Sequence, residues 1–268
     1  MFTLPIMTTM SDPPVHAVVT DGIGRLTLDR PDTGNAIDLP LARALADVTA
    51  EWANRRDLRV VVLRGRGARF CVGGDLKAFS AESDLPTHLT EVTAHLHVAL
   101  ARLARLTAPV VAAVQGSAAG AGFSIAASAD IVIAGASARF VLAYSKVGLT
   151  PDGSGTWYLP RHIGLHRAMD LALTNRVLDA TEAERIGLVS RVVADDDLDA
   201  ETEAVVTELA RGPAGALGAT KALLRASLGR ALEHQLEVES ATLAAAAGTA
   251  DAAEGIAAFL AKRPPEFG

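Results

Sequence analysis

The sequence contains a single cysteine, Cys71, among 268 residues, so no disulfide can form within the chain. A lone thiol fits a reducing compartment, and the location expected from it is the cytoplasm. Aromatic residues are scarce, at 4%, and no basic stripe runs through them. The footprint of a nucleic-acid surface is therefore missing, and no nucleic-acid partner is expected. The net charge is −6, and no long block of one sign occurs. No apolar run approaches the length of a membrane span, so no membrane partner is expected either. The opening MFTLPIMTTMSDPP lacks the basic start and full apolar centre of a secretory signal, and residues 1–15 read as a flexible N-terminal segment. Metal-ligand spacing is also missing. His95 and His97 stand two apart, which is wrong for one helix face, and both read as surface histidines.

The chain is 50% hydrophobic, enough for the core of one large domain. HAVVTDGIGRLTLD (16–29) reads as two strands joined at Asp21-Gly22. LPLARALADVTAEWANR (39–55) has helical periodicity, and LRVVVLRG (58–65) is apolar throughout, as a strand buried on both faces would be. A long amphipathic helix is expected over 86–106, and a second buried strand over 108–116. GSAAGAGFSIAASADIVIAG (116–135) passes from a small-residue turn through a short helix to a strand. Such alternation predicts an α/β class. Beyond about residue 160 the pattern is mostly helical, with a strand at LVSRVV (188–193), one or two helices over 222–248 and another over 251–263. The division expected is a core over 16–200 and a helical C-terminal region over 201–268.

Two glycine-rich loops stand out, FCVGGDLKAF (70–79) and QGSAAGAGFSIA (115–126). Neither ends in the Gly-Lys-Ser/Thr of a phosphate loop, and the second lacks the third glycine of a dinucleotide fingerprint. Small residues there allow two readings. They can let backbone N–H groups approach a ligand, or they can let a strand and a helix pack closely. At a helix start the N–H groups are unpaired and partly positive, so two such loops could aim one N–H each at a single oxyanion. A third stretch, VGLTPDGSGTW (147–157), sets Asp152 between Pro151 and Gly153. Alone, it reads as a turn aspartate.

Taken in order, RPDTGNAI (30–37), FCVGGDL (70–76), APVVAAVQGSAAGAGFSIAASADIVIA (108–134) and ARFVLAYSKVGLTPDGSGTWYLPRHIG (138–164) resemble the enoyl-CoA hydratase/isomerase, or crotonase, superfamily. The resemblance runs from about residue 16 to 263. It implies a crotonase-like spiral of ββα units with a helical C-terminal region, assembled as a homotrimer or a dimer of trimers. It implies an acyl-CoA thioester as substrate, with coenzyme A entering as part of it and no separate cofactor or metal. By position, the oxyanion donors are the N–H groups of Gly74 and Ala121. The stretches at Asn35, Ala36 and Val72 match coenzyme-A-binding backbone, and Phe259 and Lys262 match C-terminal positions that contact it, often from a neighbouring subunit.

The sequence departs from the family's hydratases at two places. Their two glutamates fall at the positions of Ser124 and Tyr144, and neither side chain readily takes a proton at neutral pH. In several isomerases of the family an acidic residue at the position of Asp152 is the proton shuttle. The resemblance thus implies an isomerase that shifts a double bond or rearranges a thioester through an enolate. Ser124, Tyr144 and Trp157 are expected around the acyl end of the pocket, Asp75 as a loop-ordering carboxylate and Cys71 as a packed small residue. Hydration or thioester hydrolysis with rewired residues, and acyl-CoA binding without turnover, remain alternatives at this level.

Overall fold

The computed structural model describes residues 13–268. Most of the expected N-terminal segment, 1–12, lies outside the described residues, while Val15 already belongs to a strand. The chain opens with a hairpin, β1 (Val15–Thr20) and β2 (Ile23–Leu28). Asp21 and Gly22 both take left-handed backbone, with φ of 51° and 75°, as the tight two-residue turn between twisted strands requires. Next come α1 (Leu39–Trp52), β3 (Val60–Gly65), α2 (Leu76–Ser80), α3 (Leu85–Arg105) and β4 (Val110–Val114). The second half of the core holds β5 (Ser117–Ala119), α4 (Ala121–Ser128), β6 (Ile131–Gly135) and β7 (Arg139–Val141). It continues through α5 (Gly155–Ile163), α6 (Leu165–Thr174), β8 (Leu178–Asp179), α7 (Ala180–Arg185) and β9 (Arg191–Val193). Four helices finish the chain: α8 (Leu198–Arg211), α9 (Ala214–Ser227), α10 (Leu232–Ala247) and α11 (Ala250–Ala261).

Six strands form the larger sheet in the order β1-β2-β3-β4-β6-β9. Only the β1–β2 pair is antiparallel; the others run parallel. Alternate residues of β3 enter two different cores. Val61 and Leu63 face the main core with α1 and α3, whereas Val60 and Val62 meet Leu198, Val205 and Val206 of α8. This two-sided burial explains the unbroken apolar run. A smaller sheet, β5-β7-β8, stands apart, joined to the β3–α2 loop by the single bridge Cys71↔Ala118. The Asp38 side chain caps α1 and the Asp84 side chain caps α3, each accepting a first-turn N–H, an arrangement typically worth about 1 kcal/mol. On α3, Val92, Leu96, Ala99, Leu100 and Leu103 are buried, a stripe at helical spacing that lies along α1.

One local reading needs correction. The strand expected over 188–193 is shorter. The N–H groups of Leu188 and Val189 both donate to Ala183 O, so these residues close the α7 turn instead of joining the sheet. The stretch 222–248 is two helices, broken between Ser227 and Leu232, and α9 starts earlier, at Ala214. No single helix among the described residues is long and apolar enough to cross a membrane.

The C-terminal helices are tied to the core through Asp130. Its carboxylate pairs with Lys221 at 2.8 Å and Arg225 at 2.6 Å and accepts the Val110 N–H at 2.8 Å. The Lys221 ammonium also donates to Ala108 O and Leu103 O. Burial pushes this ammonium below its ordinary value, and Asp130 opposes that shift. Replacing Asp130 by alanine leaves two cations without their carboxylate, a change that commonly costs about 3–5 kcal/mol. We expect Asp130→Ala to lower the urea midpoint at fixed protein concentration and to raise amide exchange first in α9.

Candidate active site

The two glycine-rich loops meet face to face. Cys71 N–H donates to Ser117 O at 3.1 Å and Ala119 N–H to Cys71 O at 2.9 Å. At the contact Gly73 takes φ 96° and Gly120 φ 51°. A Cβ on Gly73 would lie 2.9 Å from Ala119 O and 3.4 Å from Ala121 N, so a side chain would wedge the loops apart. The close-packing reading of these small residues is also right, at Gly122, where a Cβ would fall 2.2 Å from Cys71 O.

This contact leaves two N–H groups free. Ile37 N–H donates to Gly73 O, and Asp75 N–H donates to Ile37 O. In a parallel bridge of this kind the intervening residue, Gly74, turns its own N–H to the other side. Ala121 is the first residue of α4, so its N–H has no intrahelical acceptor. Among the described residues neither N–H donates to a protein acceptor. Both residues line one apolar cavity of about 400 Å³. Leu76, Phe79, Leu89, Val92 and Leu96 form one wall, and Val147, Leu149 and Thr150 another.

Asp152 is the only carboxylate lining this cavity among the described residues. It sits in the turn its neighbours predict, with Gly155 N–H donating to its carbonyl, and the turn leaves its side chain lining the cavity. Its side chain is about one-quarter exposed (25%). Tyr144 O–H donates to Asp152 Oδ1 at 2.5 Å, and Ser124 Oγ lies 3.4 Å from the same phenol oxygen. The two positions where a hydratase would carry glutamates thus form a hydroxyl chain that ends on Asp152. Burial, then the charge and hydrogen bond of Asp152, push the Tyr144 phenol well above its ordinary value. Tyr144 therefore stays protonated and remains a donor. Ala143, just before it, holds left-handed backbone at φ 58°, at a cost of about 1 kcal/mol. Ser124, expected around the acyl end of the pocket, is completely buried and does not line the cavity. It is small because the 153–155 turn packs onto it: a Cβ on Gly155 would lie 2.5 Å from its Oγ.

The remaining expected residues divide. Val72 lines the cavity. Asn35 and Ala36 do not, and both are buried. The Asn35 amide donates to Arg66 O, Arg69 O and Phe70 O and accepts the Arg30 N–H, which leaves no side-chain group free for a ligand. The side chain locks the 30–37 loop onto the 66–70 loop, whereas the resemblance concerns the backbone of this stretch. Trp157 is not a cavity wall; it is 54% exposed, with the Arg161 guanidinium over its ring. It faces outward because the first turn of α5 buries Gly155 and Leu159 instead. Phe259 is 82% exposed on α11 and Lys262 ends that helix at φ 53°; neither lines the cavity of its own chain. Asp75 caps α2 and pairs with Arg30 at 3.1 Å, and Cys71 is fully buried, which pushes its thiol up to about 12.

His97, expected as a surface histidine, also borders the site. Gly153 N–H donates to its Nε2 at 3.1 Å, and Asp152 Oδ2 lies 3.4 Å from the same atom. Its spacing to His95 bears only on a shared metal. The signal that matters, a partner 56 positions away, does not exist in local sequence.

An apolar cavity with two unpaired N–H groups and one carboxylate is equipped to hold an oxyanion and move a proton. The family model described as enoyl-CoA hydratase/isomerase matches residues 19–268. The chain is 40% identical to a "Probable enoyl-CoA hydratase" of Rhodobacter capsulatus, over 96% of this chain and 99% of that one. It is 38% identical to the 1,2-epoxyphenylacetyl-CoA isomerase of Escherichia coli, over 93% of this chain and 96% of that one. Its fold superposes on an enoyl-CoA hydratase structure from a Polaromonas species with a TM-score of 0.90 and 32% identity, covering 95% of this chain and 99% of that one. The chain belongs to the enoyl-CoA hydratase/isomerase family and has its crotonase fold.

A hydrogen bond to a charged group is worth about 1.5–3 kcal/mol. Tyr144→Phe removes one from Asp152 without touching either N–H donor. We expect kcat on the enzyme's acyl-CoA substrate to fall about ten- to hundredfold with KM little changed, measured by steady-state kinetics.

Proposed function

We propose that the chain is an isomerase of acyl-CoA thioesters. The thioester oxygen accepts from Gly74 N–H and Ala121 N–H, each such donor worth about 2.7–4 kcal/mol in the transition state. Asp152 removes a proton next to the carbonyl, the enolate forms against the two donors, and Asp152 returns the proton to another carbon. One carboxylate suffices, because the same oxygen can take the proton and give it back.

The observation that carries this reading is the hydroxyl chain Ser124–Tyr144–Asp152. Adding water to a double bond calls for one group to activate the water and another to protonate carbon. Here the two hydroxyls are spent on orienting the single carboxylate. The names of the relatives span hydratase and isomerase, and the name of the Escherichia coli relative supports the isomerase side. Coenzyme A enters as part of the substrate, and a proton shift of this kind calls for no further cofactor.

The reading extends to a homotrimer or dimer of trimers. Leu224, Leu228, Leu232, Leu236, Leu243 and Ile256 are exposed on α9–α11, an apolar surface of the kind that marks protein–protein contact. Phe259 and Lys262 would then serve the coenzyme A site of a neighbouring copy.

The test is product analysis on 3-enoyl-CoA thioesters in deuterated water. Wild type should move the double bond with no net gain of mass beyond exchanged deuterium, and Asp152→Asn should abolish both migration and exchange. Addition of water would make the chain a hydratase, and release of free thiol a hydrolase. Tight binding with no exchange on any acyl-CoA would return Asp152 to its turn.

A further inference from the structure

Among the described residues two ionisable side chains touch Asp152, the half-buried Tyr144 and the exposed His97. The His97 side chain is 48% exposed, against 25% for Asp152. Asp152 itself faces an apolar cavity, where water has few partners. The two carboxylate oxygens differ. Oδ1 accepts the Tyr144 hydroxyl at 2.5 Å. Among the described residues Oδ2 has no such donor and lies 3.4 Å from His97 Nε2. Nε2 in turn accepts the Gly153 N–H, which puts the ring N–H on Nδ1. This tautomer presents a lone pair beside Oδ2.

We propose that His97 is a proton port, through which the proton that Asp152 takes from substrate exchanges with solvent. The inference rests on the isomerase reading above. After abstraction the proton sits on Oδ2. The O–H bond breaks as an Nε2–H bond forms, giving an imidazolium beside the carboxylate. The half-exposed ring then gives this same Nε2 proton to water and keeps its Nδ1 proton, so the resting tautomer is regenerated and the substrate's proton is lost to solvent. A solvent proton enters by the reverse path. While Nε2 is protonated it cannot accept from Gly153, so the relay is brief and the neutral state is restored with that hydrogen bond. His97 acts through Asp152 and is a positioning and relay residue. Its loss should change which proton reaches the product more than how fast product forms.

The isotope balance tests this directly. A 3-enoyl-CoA deuterated at C2 is converted in ordinary water, and the deuterium delivered to C4 of the product is measured by mass spectrometry and NMR. Wild type should lose most of the label to solvent. His97→Gln keeps a side-chain acceptor for the Gly153 N–H but cannot relay a proton in this way, so label retained at C4 should rise severalfold while KM stays close to wild type. His97→Asn serves as a second variant if the first does not fold. Equal retention in wild type and variant, or high retention already in wild type, overturns the port while leaving the isomerase intact. No conversion and no label loss in wild type removes the isomerase reading itself, and the port with it.

Discussion

The site depends on one contact, the meeting of the 70–74 loop with the turn into α4. The smaller three-stranded sheet meets the loop that leaves β3 of the larger sheet at this place, through the bridge Cys71↔Ala118. Because Gly73 has no side chain, the backbones close to near van der Waals distance. That closure sets two backbone N–H groups at one cavity and leaves both without protein acceptors. Both face the cavity, where a ligand's oxygen can accept from them.

The rest of the structure can be understood as holding that contact still. The parallel sheet is buried on both faces, so β3 and β4 end at fixed positions and deliver the 65–74 and 115–121 loops to the same edge. Asn35 binds three carbonyls of the 66–70 loop and Arg30 reaches Asp75 and Asp38, which ties the early loop to the first donor. Asp130, with Lys221 and Arg225 on α9, fixes the far end of α4, whose first N–H is the second donor. Backbone donors held in this way need no reorganisation when charge develops, and that is where their advantage over water lies.

Reaction type is set one layer further out. Oxyanion donors serve any chemistry that passes through a thioester enolate, so they define the family and not the reaction. The groups that can take and return a proton decide the rest. In this chain a buried serine and a half-buried tyrosine lead to one carboxylate, and a half-exposed histidine stands on its other side. The carboxylate's two oxygens therefore face different environments, one toward a phenol that donates to it and one toward an imidazole. The surrounding glycine turn makes this arrangement compact, because Ser124 fits beneath it only as a small side chain.

Much of this was legible in the sequence. Continuous apolar runs gave the buried strands, helical periodicity gave α1 and α3, and Asp21-Gly22 marked the hairpin, because each of these signals is local and acts through burial or backbone sterics. The loops at 70–79 and 115–126 and the aspartate of VGLTPDGSGTW could likewise be picked out as residues fit for the chemistry. Local sequence did not reveal that the hydroxyls of Ser124 and Tyr144 lead to Asp152, that Trp157 turns outward, or that Asn35 is sealed inside the loop it orders. Nor did it mark His97, which its neighbours describe as an ordinary surface histidine on an amphipathic helix. Composition and periodicity fix which face of an element is buried. Only tertiary packing decides which polar groups from distant elements share that buried space, since a hydrogen bond depends on distances of a few ångströms between residues that the chain itself keeps far apart.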